Sequence, residues 1–148
     1  MIKQEQFSYT AEQIPEMVER LWQDLQMVSV MTFTGSLGAG KTTLIQGLLR
    51  HAGVTGAIQS PTFSYVHVYR VGEMRWYHFD LYRLPDMHAF IDAGFAEYLY
   101  RPGTKALIEW PEIIEPLVVL DACHVEIEYQ GREERCLQVQ CSGKLGKK

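Results

Sequence analysis

The chain of 148 residues carries a formal net charge of −4, with 47% hydrophobic and 22% charged residues. Its length accommodates one domain with a hydrophobic core, and its composition excludes an intrinsically disordered chain. The acidic balance gives no indication of the basic face by which proteins hold nucleic acid on their own.

The first third of the chain predicts a helix, a strand, a glycine loop and a second helix. Thr10 and Gln13 have the spacing of a capping box, and apolar residues then recur at helical intervals as far as Leu25. The β-rich run 28–34 predicts a central strand, and 41–50 predicts a helix with one apolar side. Phosphate-binding loops occur in this context, between a strand and a helix.

The rest of the chain alternates strand-like and helix-like segments. The stretches 65–71 and 74–80 predict an antiparallel hairpin because only a short turn separates them. Interleaved helices and strands predict an α/β fold, formed as a single domain over 1–148. The remaining predicted elements are two short helices over 85–100 broken at Gly94, an inner strand over 104–110, a helical turn over 113–117, and a C-terminal β-hairpin of 124–129 and 135–141.

Residues 35–42 read Gly-Ser-Leu-Gly-Ala-Gly-Lys-Thr and match the phosphate-loop pattern GxxxxGK[ST] in full. Glycines allow backbone N–H groups to converge on a phosphate because no side chain obstructs the turn. We expect Lys41 to reach the β- and γ-phosphates and the Thr42 hydroxyl to complete the shell of a Mg²⁺ ion. The predicted phosphate-binding residues are Gly35, Ser36, Leu37, Gly38, Ala39, Gly40, Lys41, Thr42 and Thr43.

The loop and the order of elements together predict a three-layer P-loop NTPase fold with a mixed, mainly parallel central sheet. An accidental glycine-rich turn is the alternative, and the flanking strand and helix argue against it. No Asn-Lys-x-Asp motif for reading guanine occurs, which favours ATP as the nucleotide.

Two carboxylates are candidates for converting binding into hydrolysis. Asp80 ends the predicted strand 74–80 and is the natural candidate to hold Mg²⁺ through water, with a turn cap as the alternative. Glu109 ends the next inner strand, where it would ligate Mg²⁺ directly or orient the attacking water. A surface glutamate at a strand exit is its alternative interpretation. Which of the two is the inner ligand stays open.

Three further residues are candidates for supporting roles around this site. Thr62, in Ser-Pro-Thr at 60–62, occupies the chain position where small GTPases carry a threonine that senses the γ-phosphate, although Ser-Pro-Thr is also a plain turn. His78 would share one side of its strand with Asp80, either supporting the metal shell or packing in the core. Trp110 is expected to be a core aromatic beside the site.

The three cysteines, Cys123, Cys136 and Cys141, have neither CxxC spacing nor an even count. They are therefore expected to be small buried residues in a reducing cytosol, with no metal site and no disulfide. The N-terminal residues lack the apolar core of a signal peptide, and no run approaches the roughly 18 apolar residues of a membrane helix. The expected location is the cytoplasm, without membrane association.

Four motifs occur in a fixed order along the chain and carry a family resemblance. They are Gly-x-Leu-Gly-Ala-Gly-Lys-Thr-Thr at 35–43, Ser-Pro-Thr-Phe at 60–63, His-Phe-Asp-Leu-Tyr-Arg at 78–83 and Glu-Trp at 109–110. Together they closely resemble the TsaE family, also called YjeE, the ATPase of bacterial tRNA threonylcarbamoyladenosine synthesis. The resemblance spans most of the chain, and the length agrees.

The resemblance implies a slow ATPase that uses Mg²⁺ and associates with the TsaD–TsaB pair. That pair transfers threonylcarbamoyl to an adenosine beside the tRNA anticodon, so tRNA would be contacted only indirectly, through the complex. The ATPase cycle is thought to reset the complex between turnovers. Residues at the family's phosphate and Mg²⁺ positions are Lys41, Thr42, Asp80 and Glu109, with Thr62 in the first switch and Trp110 in the second.

By the same analogy, Thr10 and the hairpin around Arg132 line the nucleotide pocket. One position departs from the family, which usually has an acidic residue, most often Asp, where this chain has Ser36. Phosphates are held by backbone amides, so ATP binding should survive the change. The change puts in question any contact of that carboxylate with a switch or partner, and with it the hydrolysis rate.

Two other functions share the phosphate loop. A small-molecule kinase would need an acceptor pocket and a lid bearing arginines, and the segment 85–103 holds only Arg101. A nucleotide-gated binding module with negligible turnover would fit the same order of loop, switch threonine and carboxylate.

Overall fold

The computed structural model describes residues 2–59, 64–118 and 121–142. Within these ranges the strands are β1 (Ile2–Thr10), β2 (Val30–Gly35), β3 (Val66–Val71), β4 (Met74–Asp80), β5 (Thr104–Glu109), β6 (Ala122–Gln130) and β7 (Glu134–Ser142). The α-helices are α1 (Ile14–Leu25), α2 (Lys41–Ala52) and α3 (Met87–Asp92). Short 3-10 helices cover Ala11–Gln13, Phe95–Tyr98 and Pro111–Leu117. No helix in these ranges is both long and apolar enough to cross a lipid bilayer.

All described strands join one mixed sheet in the order β1-β7-β6-β2-β5-β4-β3. The four central strands β6, β2, β5 and β4 run parallel, and the outer pairs are antiparallel. The predicted α/β class, the mixed sheet with its parallel centre, and both predicted hairpins are therefore confirmed. Because parallel strands end at one edge, the carboxyl ends of β2, β4 and β5 lie together.

Layers of helix cover the two faces of the sheet. Alternate residues of β2 point to opposite faces, so that Met31 and Phe33 pack with α1 and α2 while Val30 packs with α3 and the 3-10 helices. The same alternation in β4 turns Tyr77 and Phe79 towards α3. The predicted three-layer arrangement is confirmed. It leaves His78 and Asp80 on the face that carries α2.

Strand β1 is absent from the sequence-based prediction. Its residues Gln4, Gln6 and Ser8 alternate with more buried ones, but two of the more buried ones, Lys3 and Glu5, are charged, so the apolar–polar alternation of a strand is broken. What makes the segment a strand is its long antiparallel pairing with β7, which runs from Ile2 opposite Ser142 to Thr10 opposite Glu134. A partner more than a hundred residues away supplies the structure, so local sequence carries little of the signal.

Cys123 and Cys141 form a disulfide bond, which contradicts the expectation of unpaired cysteines. The two residues lie directly opposite each other in the register of β6 and β7, and both are fully buried. Cys136 is free. Cysteine count and spacing do not reveal this pair, because the hairpin register brings the two residues together. The expectation that these two side chains are buried is confirmed.

The disulfide predicts one reactive thiol per chain, from Cys136, when the protein is denatured without reductant and titrated with Ellman's reagent. Reduction is expected to lower the free energy of unfolding by about 2–4 kcal/mol, because the unfolded chain gains freedom. Urea unfolding with and without reductant measures this loss. In a Cys136→Ser control, no thiol should react before reduction. Three reactive thiols in the unreduced parent chain would contradict the pairing.

Candidate functional site

The glycine loop connects the end of β2 to the start of α2, at the edge where the central strands end. Gly35 has φ 140°, and a Cβ at this position would clash with the carbonyl oxygen of Ile127 on β6. Only glycine therefore allows β2 to pass so close to its neighbour and enter the loop. Gly40 has φ 113° and precedes the first residue of α2. The predicted order of strand, loop and helix is confirmed.

The Lys41 ammonium group lies at the centre of this loop. Its Nζ donates to the carbonyl oxygens of Gly35 at 2.6 Å and Ser36 at 3.1 Å. The side chain is 5% exposed, and burial lowers the pKa of Lys41 while the nearby Glu109 opposes that change. The carbonyl groups of the loop thus hold the ammonium group, and an anionic ligand that binds in the loop would compete with these carbonyls for it.

Trp110 forms one wall of the site. Its ring centre lies 4.1 Å from Lys41 Nζ, and the ring of Tyr82 packs against it at 4.8 Å. The Trp110 backbone is left-handed, with φ 57° and ψ 58°, a conformation that is rare outside glycine. This turn directs the indole from the end of β5 towards the loop. Trp110 therefore lies beside the site, as expected from the sequence.

A chain of hydrogen bonds runs from the loop into the sheet. The Thr42 hydroxyl lies 2.9 Å from both carboxylate oxygens of Glu109, and Glu109 Oε2 lies 2.7 Å from His78 Nε2. Glu109 is 3% exposed and His78 is fully buried. Glu109 is therefore not a surface glutamate: it faces the loop, and its carboxylate contacts both a loop hydroxyl and a buried imidazole.

His78 reaches this position because β4 lies beside β5 in parallel register, with Asp80 next to Glu109. Since a carboxylate only accepts hydrogen bonds, we place the proton on Nε2, which donates to Glu109. Its other ring nitrogen, Nδ1, has no hydrogen-bond partner among the described residues. His78 is thus a packed core histidine whose one hydrogen bond holds the Glu109 carboxylate.

Changing His78 to alanine is expected to reduce ATP hydrolysis about ten- to a hundredfold, since a hydrogen bond to a charged group contributes roughly 1.5–3 kcal/mol. His78→Gln retains an N–H group in a similar place and should recover much of the rate. The matched control is His67→Ala, on β3 directly opposite His78. Steady-state hydrolysis rates test the prediction, which fails if His78→Ala matches the parent or if glutamine is no better than alanine.

Asp80 lies at the end of β4 and lines the same pocket as Lys41, Thr42 and Glu109. This pocket has a volume of about 230 Å³. Its Oδ1 also accepts the backbone N–H of Tyr82 at 3.1 Å. Burial raises the pKa of Asp80, partly offset by that hydrogen bond. Asp80 therefore makes the turn-cap contact and also faces the pocket beside the loop, while its role in holding Mg²⁺ stays a prediction.

The side chains around the pocket that could ligate a metal ion do so through oxygen atoms, the ligand class that Mg²⁺ prefers. Within the described residues, no group of three or more His, Cys, Asp or Glu side chains is arranged to enclose a metal ion. Mg²⁺ at nucleotide sites is usually held by one or two carboxylates together with phosphate oxygens and water. A hydroxyl and one carboxylate in contact, as Thr42 and Glu109 are, fit that mode of binding.

A second cavity of about 360 Å³ adjoins the outer side of the loop. Six residues of the predicted nucleotide site line it: Gly38, Ala39 and Gly40 of the loop, together with Thr10, Thr43 and Arg132. Arg135, on β7, also lines it and donates from Nε to the carbonyl oxygen of Ala39 at 3.1 Å. Sequence reasoning missed Arg135, because its contact with the loop depends on the pairing of β1, β7 and β6.

The remaining loop residues differ in their surroundings. Ser36 Oγ donates to Glu128 Oε1 at 2.9 Å, so the residue that departs from the family pattern contacts a carboxylate on β6. An aspartate at 36 would place two carboxylates against each other here. Leu37 is 64% exposed. Thr62, the predicted switch threonine, lies outside the described residues, so its position relative to the loop stays a prediction.

The family model for "Threonylcarbamoyl adenosine biosynthesis protein TsaE" matches residues 8–137. The chain belongs to the TsaE family. Among its relatives are proteins named tRNA threonylcarbamoyladenosine biosynthesis protein TsaE. The Synechocystis relative is 42% identical over 108 residues, which cover 67% of this chain. The Bacillus subtilis relative is 37% identical over 72% of this chain, and the Rickettsia felis relative 33% over 86%.

The match covers 64% of the Synechocystis TsaE protein, 65% of the Bacillus subtilis one and 74% of the Rickettsia felis one. The crystal structure of Bacillus subtilis YdiB superposes with a TM-score of 0.76 at 27% identity, covering 97% of this chain and 89% of that one. The TsaE family is one of P-loop proteins that take part in tRNA threonylcarbamoyladenosine biosynthesis. The resemblance found in the four sequence motifs is thereby confirmed.

Proposed function

We propose that this chain is a Mg²⁺-dependent ATPase that serves tRNA threonylcarbamoyladenosine modification in the cytoplasm as an accessory of TsaD and TsaB. The observation that carries the proposal is the contact of Thr42 with Glu109 beside Lys41, at the end of a full phosphate-loop motif. Membership of the TsaE family supports the pathway. tRNA is contacted through the complex.

ATP binding would use the loop amides and the Lys41 ammonium. An arriving triphosphate competes with the Gly35 and Ser36 carbonyls for the ammonium, and the charge of the phosphates makes it the stronger partner. The positive end of α2 adds to this attraction, because helix N-termini favour anions. The cavity lined by Thr10 and Arg132 is large enough for a nucleoside and lies on the side of Thr43.

Mg²⁺ would be held by the Thr42 hydroxyl and Glu109, and when bound it would offset the negative charge that develops on the phosphates. We assign Glu109 rather than Asp80 to this role because Glu109 already contacts the loop hydroxyl. His78 donates to the same carboxylate and keeps one of its oxygens directed at Thr42. A buried carboxylate held in this way cannot swing out to solvent when the nucleotide leaves.

Asp80 would then orient the attacking water. Its Oδ1 is engaged with the Tyr82 N–H, which fixes the side chain and leaves Oδ2 for water. Lys41 would stabilise the charge on the β- and γ-phosphates during cleavage. Because few side chains would contact the phosphoryl group that is cleaved, we expect the intrinsic rate of ATP hydrolysis to be slow. We also propose that Thr62 senses the γ-phosphate.

Hydrolysis of γ-³²P-ATP by the purified chain, with and without TsaD and TsaB, tests this function. Label released as inorganic phosphate supports an ATPase. Transfer of label to an added small acceptor would instead indicate a kinase, and binding without turnover in the presence of both partners would indicate a nucleotide-gated module. Retention of TsaD and TsaB from extract on the immobilised chain, with ATP and Mg²⁺, tests the partnership separately.

A further inference from the structure

Three arginines converge at the edge of the sheet opposite to the phosphate loop. Arg70 lies on β3, Arg75 lies on β4, and Arg101 lies in the segment that leads into β5. They line one pocket of about 300 Å³. The other lining residues are Gly72, Glu73, Pro102, Gly103 and Thr104. Nothing in the proposed ATPase mechanism uses this pocket.

Arg70 and Arg75 are directly opposite each other in the antiparallel register of β3 and β4. Like charges in that arrangement destabilise a hairpin. Among the residues that the structure describes, neither guanidinium group has a carboxylate within 4.0 Å, and Arg101 has only Glu97, at 4.0 Å. The cluster therefore carries repulsion that an anion between the side chains would relieve.

Backbone hydrogen bonds hold the walls of the pocket together. The Arg75 N–H donates to the carbonyl oxygen of Gly103 at 3.0 Å. Thr104 donates to the carbonyl oxygen of Arg101 from its N–H at 3.2 Å and from Oγ1 at 2.7 Å. The base of Arg75 is thus tied to the turn that carries Arg101. A site whose backbone is already fixed loses little freedom when it binds a ligand.

We propose that this pocket binds a phosphate group. Guanidinium groups present planar pairs of donors that match phosphate oxygens. Among the described residues of the lining, three guanidinium groups outnumber the one carboxylate, that of Glu73. The site is separate from the phosphate loop: Arg75 is five residues before Asp80 on β4, which corresponds to about 17 Å at the rise of a strand. The phosphate could belong to a small phosphorylated molecule or to an RNA backbone, the second being a direct contact with RNA that goes beyond the indirect contact of the proposed function.

The test uses the full chain saturated with Mg²⁺ and a non-hydrolysable ATP analogue, so that the β- and γ-phosphate positions of the loop are both filled. Inorganic phosphate and pyrophosphate are titrated by calorimetry, and a fluorescent RNA hairpin is titrated by anisotropy at two salt concentrations. The variants are Arg70→Gln and Arg75→Gln. The matched control is Arg20→Gln, which removes the same charge from the exposed face of α1. ATP binding by every variant is measured in parallel and should equal that of the parent.

We expect each arginine variant to bind the probe about tenfold more weakly, with Arg20→Gln unchanged. Binding of RNA without binding of free phosphate assigns the site to a nucleic-acid backbone, and the slope against salt should then be lower in the variants. Binding of phosphate or pyrophosphate alone assigns it to a small molecule. The proposal is overturned if neither probe binds, or if the variants bind as the parent does.

The melting temperature shows whether each variant is folded. Since Arg70 and Arg75 repel each other, replacing either one should leave the melting temperature without ligand unchanged or raise it. A bound probe should raise the melting temperature of the parent but not of the variants. A large loss of stability in both variants would mean that the arginines serve the hairpin itself, and would count against the proposal.

Discussion

Replacing Lys41 by alanine is expected to weaken ATP binding by about a hundredfold or more, the loss that follows when a buried cation is taken from phosphate partners. Among the described residues that line the pocket between the loop and Asp80, Lys41 is the only one with a cationic side chain. Its Nζ lies among the loop carbonyls, so no neighbouring side chain replaces it. Isothermal titration calorimetry with Mg·ATP measures the change.

Two further variants serve as comparisons for Lys41→Ala. Lys41→Arg keeps the charge but not the compact ammonium that fits between the Gly35 and Ser36 carbonyls, and should bind with intermediate affinity. Arg20→Ala removes a positive charge from an exposed ion pair with Glu5 and should bind ATP as the parent does. Circular dichroism checks that each variant is folded. If Lys41→Ala binds Mg·ATP as tightly as the parent, the proposed site is wrong.

Glu109→Gln is expected to lower ATP hydrolysis by about a hundredfold and to remove most of the Mg²⁺ dependence of nucleotide binding. Glutamine has the size of glutamate but no charge, and its N–H₂ group cannot accept the hydrogen bonds that Thr42 and His78 now donate. Binding is measured by calorimetry with and without Mg²⁺, and hydrolysis by phosphate release.

The comparison with Asp80→Asn separates the roles of the two carboxylates. If Asp80 orients water, this variant keeps Mg²⁺-dependent binding and loses turnover. Glu19→Gln, a change of the same charge at an exposed position of α1, should behave as the parent in both measurements. The assignment would be reversed if Asp80→Asn lost the Mg²⁺ dependence while Glu109→Gln kept it.

Local sequence was sufficient where structure depends on neighbours along the chain. The capping pair at the start of the first helical segment is present, with the Thr10 N–H donating to Gln13 Oε1 at 2.9 Å. The break at Gly94 separates α3 from the 3-10 helix Phe95–Tyr98, as expected. Both follow from side chains or backbone conformations within a few residues of each other.

Local sequence failed where a distant partner provides the structure. Strand β1 exists because it pairs with β7, and the disulfide of Cys123 and Cys141 exists because β6 and β7 pair in one particular register. A one-residue shift of that register would move the two cysteines out of line. Neither count nor spacing contains that information.

By itself, the sequence determined the phosphate loop, the α/β class and the family, because glycine spacing and alternating hydrophobicity are local properties that the fold preserves. It also identified Asp80 and Glu109 as candidates from their places at strand ends. Only the tertiary structure decided which carboxylate contacts Thr42, that His78 holds it, and that Arg135 lies at the loop. These contacts depend on strand register and on distances of a few ångströms between residues far apart in the chain, which only packing of the sheet against α2 sets.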